Sequence, residues 1–227
     1  AASDVYKRQR LNEEQQLKGE GRMAKLYLVR HGETDFNKTL RFQGQTDVPL
    51  NEKGKEQAQK MATYFRNIPL TAIYSSSLQR AYSTAEILGS VKNLAPVKVD
   101  SFREINFGQW EGGNSTVIKE QYGSVWEDFF KNPAIAKAPE GESMGDLQNR
   151  AFPALQKILA SHPEGDVAVV AHGGIIRVLM CSMLGLDVNR TWHLHVANAA
   201  TTCFYYWGDS YTLEYANLDH YLDYDLG

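Results

Sequence analysis

The chain has 227 residues, 43% of them hydrophobic, with a net charge of −3 and a pI near 6.1. That suffices for one large α/β domain or two small ones, and the acidic balance gives no general attraction for nucleic acid or an anionic membrane. No apolar run approaches the roughly 20 residues needed to span a bilayer. The two cysteines, Cys181 and Cys203, lack CxxC or Cys/His ligand spacing and read as buried thiols of a reducing compartment.

Residues 1–22 are polar and highly charged, with no apolar period and no signal-peptide core. They are expected to be a disordered or non-native extension, Ser3 to Gln9 resembling translated adapter sequence, with Met23 as the natural start of a domain over 23–227. A cytoplasmic protein, monomeric or homodimeric, is expected.

Lys25-Leu-Tyr-Leu-Val29 is a short apolar run, hence a strand. Asn51 is placed to cap a helix to about Asn67, with Ala58, Met61, Ala62 and Phe65 on one face, and Pro69 closes it. Ala72–Tyr74 predicts a second strand, and Ser75, Ser76 and Ser77 offer an N-cap to a helix burying Leu78, Ala81, Ala85 and Leu88 and stopping at Gly89. Val97–Val99 predicts a third strand. Asp166–Ala171, the most apolar, predicts a fourth, followed by a helix over Ile175–Leu184. Thr201–Trp207 and Tyr211–Tyr215 predict a late β-ribbon. Alternation of this kind implies a three-layer α/β/α architecture around a mostly parallel, doubly wound sheet.

Such sheets bind ligands beyond the carboxyl ends of their strands. His31 and His172 each follow a strand directly, and Arg80 lies in the first turn of a helix after another. Three separate segments therefore bring nitrogen-bearing side chains to one edge. In Leu28-Val-Arg-His-Gly-Glu-Thr34, Arg30 offers a planar fork for two phosphate oxygens, His31 titrates near neutrality, and Gly32 lets the backbone bend and approach a ligand. A cation at a helix N-terminus opposes the dipole, so Arg80 implies a compensating anion. Gly173-Gly174 before a helix is compatible with an anion-binding cluster of amides.

Four separated motifs resemble the histidine phosphatase superfamily, which includes the phosphoglycerate mutases. They are the heptapeptide around His31, Arg41-Phe-Gln-Gly-Gln45 with Asp47 and Pro49-Leu50, Ser75-Ser-Ser-Leu-Gln-Arg-Ala81 with Thr84-Ala85, and Ala171-His-Gly-Gly174. A fifth, Arg103-Glu104 with Phe107-Gly-Gln-Trp-Glu-Gly112, resembles the phosphatase branch. The resemblance covers residues 24 to about 221 and implies a phosphoglycerate mutase-like fold. It also implies attack of His31 on phosphorus, charge stabilisation by Arg30, Arg80 and His172, and a neutral donor in Asn37. Gln43, Gly44 and Gly173 are implied on the substrate side, and Glu104 as acid and then base, rather than Glu33 or Glu111. Such a general acid needs a raised pKa, which phosphate charge and Phe102, Ile105 and Phe107 could provide. No metal and no cofactor is implied, since two guanidiniums and an imidazole supply the charge.

Arg41 either contacts substrate or pairs with an acidic neighbour. The mutases carry a Glu-Arg-His-Tyr-Gly-like stretch where this chain has Glu104-Ile-Asn-Phe-Gly108, which favours a phosphomonoesterase acting on a small organic phosphate ester. A phosphoglycerate mutase is the alternative, and a silent phosphate-binding scaffold a third. Residues 111–140 form an expected substrate-selecting insertion; its Tyr122, Trp126, Phe129 and Phe130 could line a pocket mouth or form one helix's buried stripe.

Overall fold

The computed structural model describes residues 23–223, so the expected extension over 1–22 lies outside the described residues. Six strands, β1 (Ala24–Arg30), β2 (Leu70–Ser75), β3 (Val97–Lys98), β4 (Asp166–Ala171), β5 (Thr201–Trp207) and β6 (Ser210–Leu218), form one sheet in the order β3-β2-β4-β1-β5-β6. The β1–β4, β2–β4 and β2–β3 pairings are parallel; β5 runs antiparallel to β1, and β6 to β5. The sheet is thus parallel over its first four positions and mixed overall. β4 is buried along its whole length, as its unbroken apolar run requires of a strand covered on both faces.

Seven helices surround it among the described residues: α1 (Asp35–Lys38), α2 (Glu52–Phe65), α3 (Gln79–Lys92), α4 (Ser115–Tyr122), α5 (Ser124–Lys131), α6 (Met144–Ala160) and α7 (Gly173–Leu184). Strand alternation divides the core into two layers. Tyr27, Val29, Ala168 and Val170 pack under α2 and α3. Leu26, Leu28, Val167 and Val169 face α6 and α7. Each fully buried Leu or Val contributes about 1.5–3 kcal/mol.

Local chemistry accounts for most element ends. Asn51 Oδ1 accepts from Gly54 N at 2.8 Å and starts α2. The three serines do not cap α3: Leu78 occupies the cap with no side-chain bond, because Ser76 and Ser77 turn their hydroxyls to other partners. Nor does α3 stop at Gly89. It continues to Lys92 and ends at Asn93 in the left-handed region, φ 53°; a Cβ at Gly89 would lie 2.3 Å from Leu94 O, so this glycine serves close packing. The expected insertion carries two helices, α4 and α5, broken at Gly123. Its aromatics do not form a single stripe. Phe129 is buried and Phe130 is 36% exposed, and both, with Trp126, join Phe42, Phe107, Trp110 and Trp192 in one cluster of edge-to-face and tilted ring contacts.

Candidate active site

The site begins with strand register. Arg30 of β1 stands opposite Ala171 of β4, so the residues that follow, His31 and His172, emerge side by side at the carboxyl edge. His31 N donates to Ala171 O at 3.0 Å, and the two imidazole rings are 5.1 Å apart, edge to face.

Each ring is held by one nitrogen. His31 Nδ1 lies 2.7 Å from the carbonyl oxygen of Gly32. A carbonyl only accepts, so Nδ1 carries the proton and Nε2 presents its lone pair. Arg80 Nε–H donates to that Nε2 at 3.3 Å. Ser76 Oγ, 2.7 Å from His172 Nε2, also accepts from Leu78 N. Oγ has a second lone pair, so this contact fits either tautomer of His172; with the hydroxyl donating to Nε2, the ring proton lies on Nδ1. Burial, followed by the positive charge of Arg80, pushes the pKa of both rings well below 6.5, with Arg30 a further cause for each. Both imidazoles are neutral at pH 7.

The guanidiniums are anchored to backbone carbonyls. Arg80 is fully buried and donates to Gly44 O at 2.7 Å and Thr46 O at 2.9 Å. The compensation expected from an anion at this helix start is therefore partly provided by two carbonyls. Arg30 Nη1 donates to Val196 O at 2.6 Å, and Arg177 Nε to Leu194 O at 2.8 Å. Burial lowers Arg30 and Arg80 to about 10, so both remain charged at neutral pH. Two buried nitrogens of the site, Arg30 Nε and His172 Nδ1, have no protein partner.

Glu104 is the acid that reaches this cluster. Its Oε1 accepts from Ile105 N at 2.9 Å and its Oε2 from Gly174 N at 3.0 Å. The Gly174 amide, expected to bind a ligand anion, is thus occupied by Glu104 at the start of α7. A Cβ at Gly174 would lie 2.4 Å from Glu104 Oε1, which is why glycine stands there. Glu33 instead pairs with Lys53 at 3.1 Å and accepts from Asn51. Glu111 accepts from the amides of Gln45 and Thr46, both at 2.8 Å. It organises the loop whose carbonyls hold Arg80, and a Cβ at Gly44 (φ +55°) would collide with its carboxylate.

Arg30, His31, Asn37, Gln43, Gly44, Arg80 and Glu104 line one cavity of about 270 Å³, together with Phe36, Leu40, Arg41, Phe42 and Phe107. Asn37 Oδ1 accepts from Thr34 N and Asn198 Nδ2, each at 3.2 Å, and Gln43 Oε1 accepts from Thr34 Oγ1 at 2.9 Å. Their amide NH2 groups are the ends left to donate. Gly173 is not part of this lining: a Cβ there would meet Arg177 Nη1 at 2.9 Å and Arg30 Nε at 3.7 Å, so its role is to let two guanidiniums come close. Gly32 likewise spares a collision with Gly54 O, 2.2 Å from a Cβ, rather than admitting a ligand. Sequence reasoning missed Asn198 and Arg177, which belong to no chemically suggestive run and are brought here only by the fold, and it read Ser76, inside its motif, as a helix cap rather than as a partner of His172.

A family model for the histidine phosphatase superfamily (branch 1) matches residues 26–219. The chain belongs to the histidine phosphatase superfamily. It is 35% identical over 178 residues to phosphoserine phosphatase 1 of Hydrogenobacter thermophilus, covering 78% of this chain and 84% of that protein. Against an Escherichia coli protein named probable phosphoglycerate mutase GpmB it is 34% identical, covering 78% of this chain and 83% of the relative. Among solved structures, the mycobacterial glucosyl-3-phosphoglycerate phosphatase with VO3 superposes with a TM-score of 0.80 at 31% identity, covering 86% of this chain and 99% of that one. In this histidine phosphatase no helix among the described residues is long and apolar enough to cross a membrane. No group of three or more His, Cys, Asp or Glu among them is arranged to hold a metal ion.

Proposed function

We propose that this histidine phosphatase is a phosphomonoesterase for small organic phosphates, working through a phosphohistidine on His31 without a metal, in the cytoplasm. One observation carries the reading: the neutral His31 presents an Nε2 lone pair, while the buried Arg30 Nε and His172 Nδ1 have no protein partner. A nucleophile beside unmatched buried donors is suited to a phosphoryl group, because an unpaired buried donor costs about 1–3 kcal/mol and three phosphoryl oxygens accept strongly.

In the first step His31 Nε2 forms a bond to phosphorus, the P–O ester bond breaks, and the leaving alkoxide takes the proton of the Glu104 carboxyl. In the second, Glu104 takes a proton from water, the water oxygen bonds to phosphorus, and the P–N bond breaks to release phosphate and neutral His31. Arg30, Arg80, His172 Nδ1–H and the Asn37 and Gln43 amides hold the equatorial oxygens, where charge stabilisation is most effective. Residues 111–140 act as the substrate-selecting insertion, its aromatic cluster seating Phe42 and Phe107 at the cavity.

The phosphoglycerate mutase reading has the support of the Escherichia coli relative. Against it, Ile105 is buried in the core and Asn106 turns its Oδ1 to Gly108 N at 2.8 Å, so this stretch brings no cation to the cavity. The test is hydrolysis of p-nitrophenyl phosphate with chelator present, by wild type and His31→Ala, with acid-labile labelling of the protein by 32P-phosphoester. Phosphate release and labelling that both vanish in His31→Ala support the phosphatase. Rapid interconversion of phosphoglycerates with no net hydrolysis would establish the mutase instead.

A further inference from the structure

Between single 3-10 turns at Asp100–Phe102 and Gly108–Trp110, the stretch that carries Glu104 has no helix or strand of its own. Side chains hold its backbone instead. Arg150, on α6, donates through Nη1 to Ser101 O at 2.8 Å and Arg103 O at 2.7 Å, and through Nη2 to Glu104 O at 3.0 Å. Its Nε and Nη2 also reach Glu142 Oε1 and Oε2, both at 2.9 Å. All five N–H groups of the guanidinium are thereby used. Glu142 completes the grip from the other side. Its Oε2 accepts from Asn106 N at 2.9 Å, and its own N donates to Asn106 O at 2.8 Å.

Three carbonyls up to Glu104, and both backbone groups of Asn106 just beyond it, thus end on one bidentate ion pair. The two side chains are 24% and 23% exposed, and neither lines the cavity. The Glu104 carboxylate itself is oriented by only two amides, those of Ile105 and Gly174. Its aim therefore depends on where its backbone sits. An acid must meet the leaving oxygen within hydrogen-bond distance, and a misplacement of about 1 Å can cost on the order of a hundredfold in rate.

Resting on the phosphomonoesterase reading, we propose that Arg150 and Glu142 are positioning residues for the general acid, holding the Glu104 backbone so that its carboxyl meets the leaving oxygen. The pair acts through Glu104 and touches no substrate. Its loss is then felt in proportion to the leaving group's need for a proton.

The test compares phenyl phosphate with p-nitrophenyl phosphate, esters of similar shape. Nitrophenolate departs readily as the anion, whereas phenolate calls for a proton. kcat/KM reads this step alone, because it ends at the phosphohistidine. Arg150→Gln in the full chain is expected to lower kcat/KM for phenyl phosphate by about tenfold or more and for p-nitrophenyl phosphate by about threefold at most, part of the roughly 10²–10⁴-fold that a general acid contributes. Arg150→Lys, with three donors in place of five, should recover part of the loss. Glu142→Gln should show the same selectivity on a smaller scale. In a Glu104→Gln background, Arg150→Gln should add no further selectivity, as for two residues acting as one unit. Equal losses on both esters in Arg150→Gln, or no loss, overturn the proposal; if that variant does not fold, Glu142→Gln decides in the same way. A selective Glu104→Gln then leaves the phosphatase reading intact. A Glu104→Gln without selectivity removes the acid, and a wild type inert to both esters removes the phosphatase; either result takes the positioning role with it.

Discussion

The side-chain amide of Asn198 lies 3.2 Å from Asn37 Oδ1, and the same Nδ2 reaches the carbonyl oxygens of His31 and Gly32 at 3.1 and 3.3 Å. One residue from the loop before β5 thus fixes which end of Asn37 faces the cavity and steadies the carbonyl that sets the His31 tautomer. Asn198→Ala should lower kcat by about ten- to a hundredfold, in line with the loss of a preorganised transition-state donor. 15N NMR of the imidazoles reads the mechanism directly: wild type should show the Nδ1–H tautomer, and the variant a mixture. A variant with unchanged kcat and an unchanged tautomer would make Asn198 purely structural.

Gly174→Ala tests how tightly Glu104 is seated. The new Cβ would fall 2.4 Å from Glu104 Oε1, so the carboxylate must move. kcat should fall at least tenfold. Helix propensity alone would make alanine mildly stabilising over glycine inside α7, so lost activity without large loss of stability separates a displaced acid from unfolding. An active variant with Glu104 unmoved in its structure would rule this out.

Glu111 is predicted to act through Arg80. Glu111→Ala removes the acceptor for the Gln45 and Thr46 amides and frees the loop that provides Arg80 with Gly44 O and Thr46 O. Stability should fall by about 2 kcal/mol, the usual cost of charge-assisted hydrogen bonds, and KM for any phosphoester should rise. Urea melts and steady-state kinetics check both. A KM equal to that of wild type would disconnect the loop from the phosphate site.

The buried histidines impose a pH dependence. His31 and His172 have folded pKa values well below 6.5 because burial and Arg80 disfavour the imidazolium. Above 6.5 both folded and unfolded forms are neutral, so neither histidine affects stability. As pH falls below 6.5 the unfolded chain binds protons that the folded chain refuses, and stability declines by about 1.4 kcal/mol per unit per histidine until the folded pKa is reached. Urea unfolding between pH 7 and 5 should show this slope, shallower in His172→Gln. A slope identical in both proteins would remove His172 from the titration.

The local pattern determined a good deal. An unbroken apolar run made β4 a doubly covered strand, the polar residue Asn51 made a helix start, and the residues that directly follow strands marked His31 and His172 at the ligand-binding edge. These are short-range consequences of period, capping and burial, and they need no knowledge of what lies across the sheet. Arg30, Arg80, Asn37, Gln43, Gly44 and Glu104 were legible from motifs that the structure brings into one cavity.

Only the tertiary structure decided how each group is held. The parallel register of Arg30 with Ala171 sets the two imidazoles 5.1 Å apart, and residues about 165 positions away in the chain fix the His31 backbone. Gly32, Gly173 and Gly174 read as ligand-approach glycines; in the fold they are contact points with Gly54, with two arginines and with Glu104. A glycine looks the same in sequence whether its missing Cβ makes room for a ligand or for another part of the protein. What occupies that space is a property of long-range packing, and so are hydrogen-bond partners, burial and the pKa shifts that follow from them.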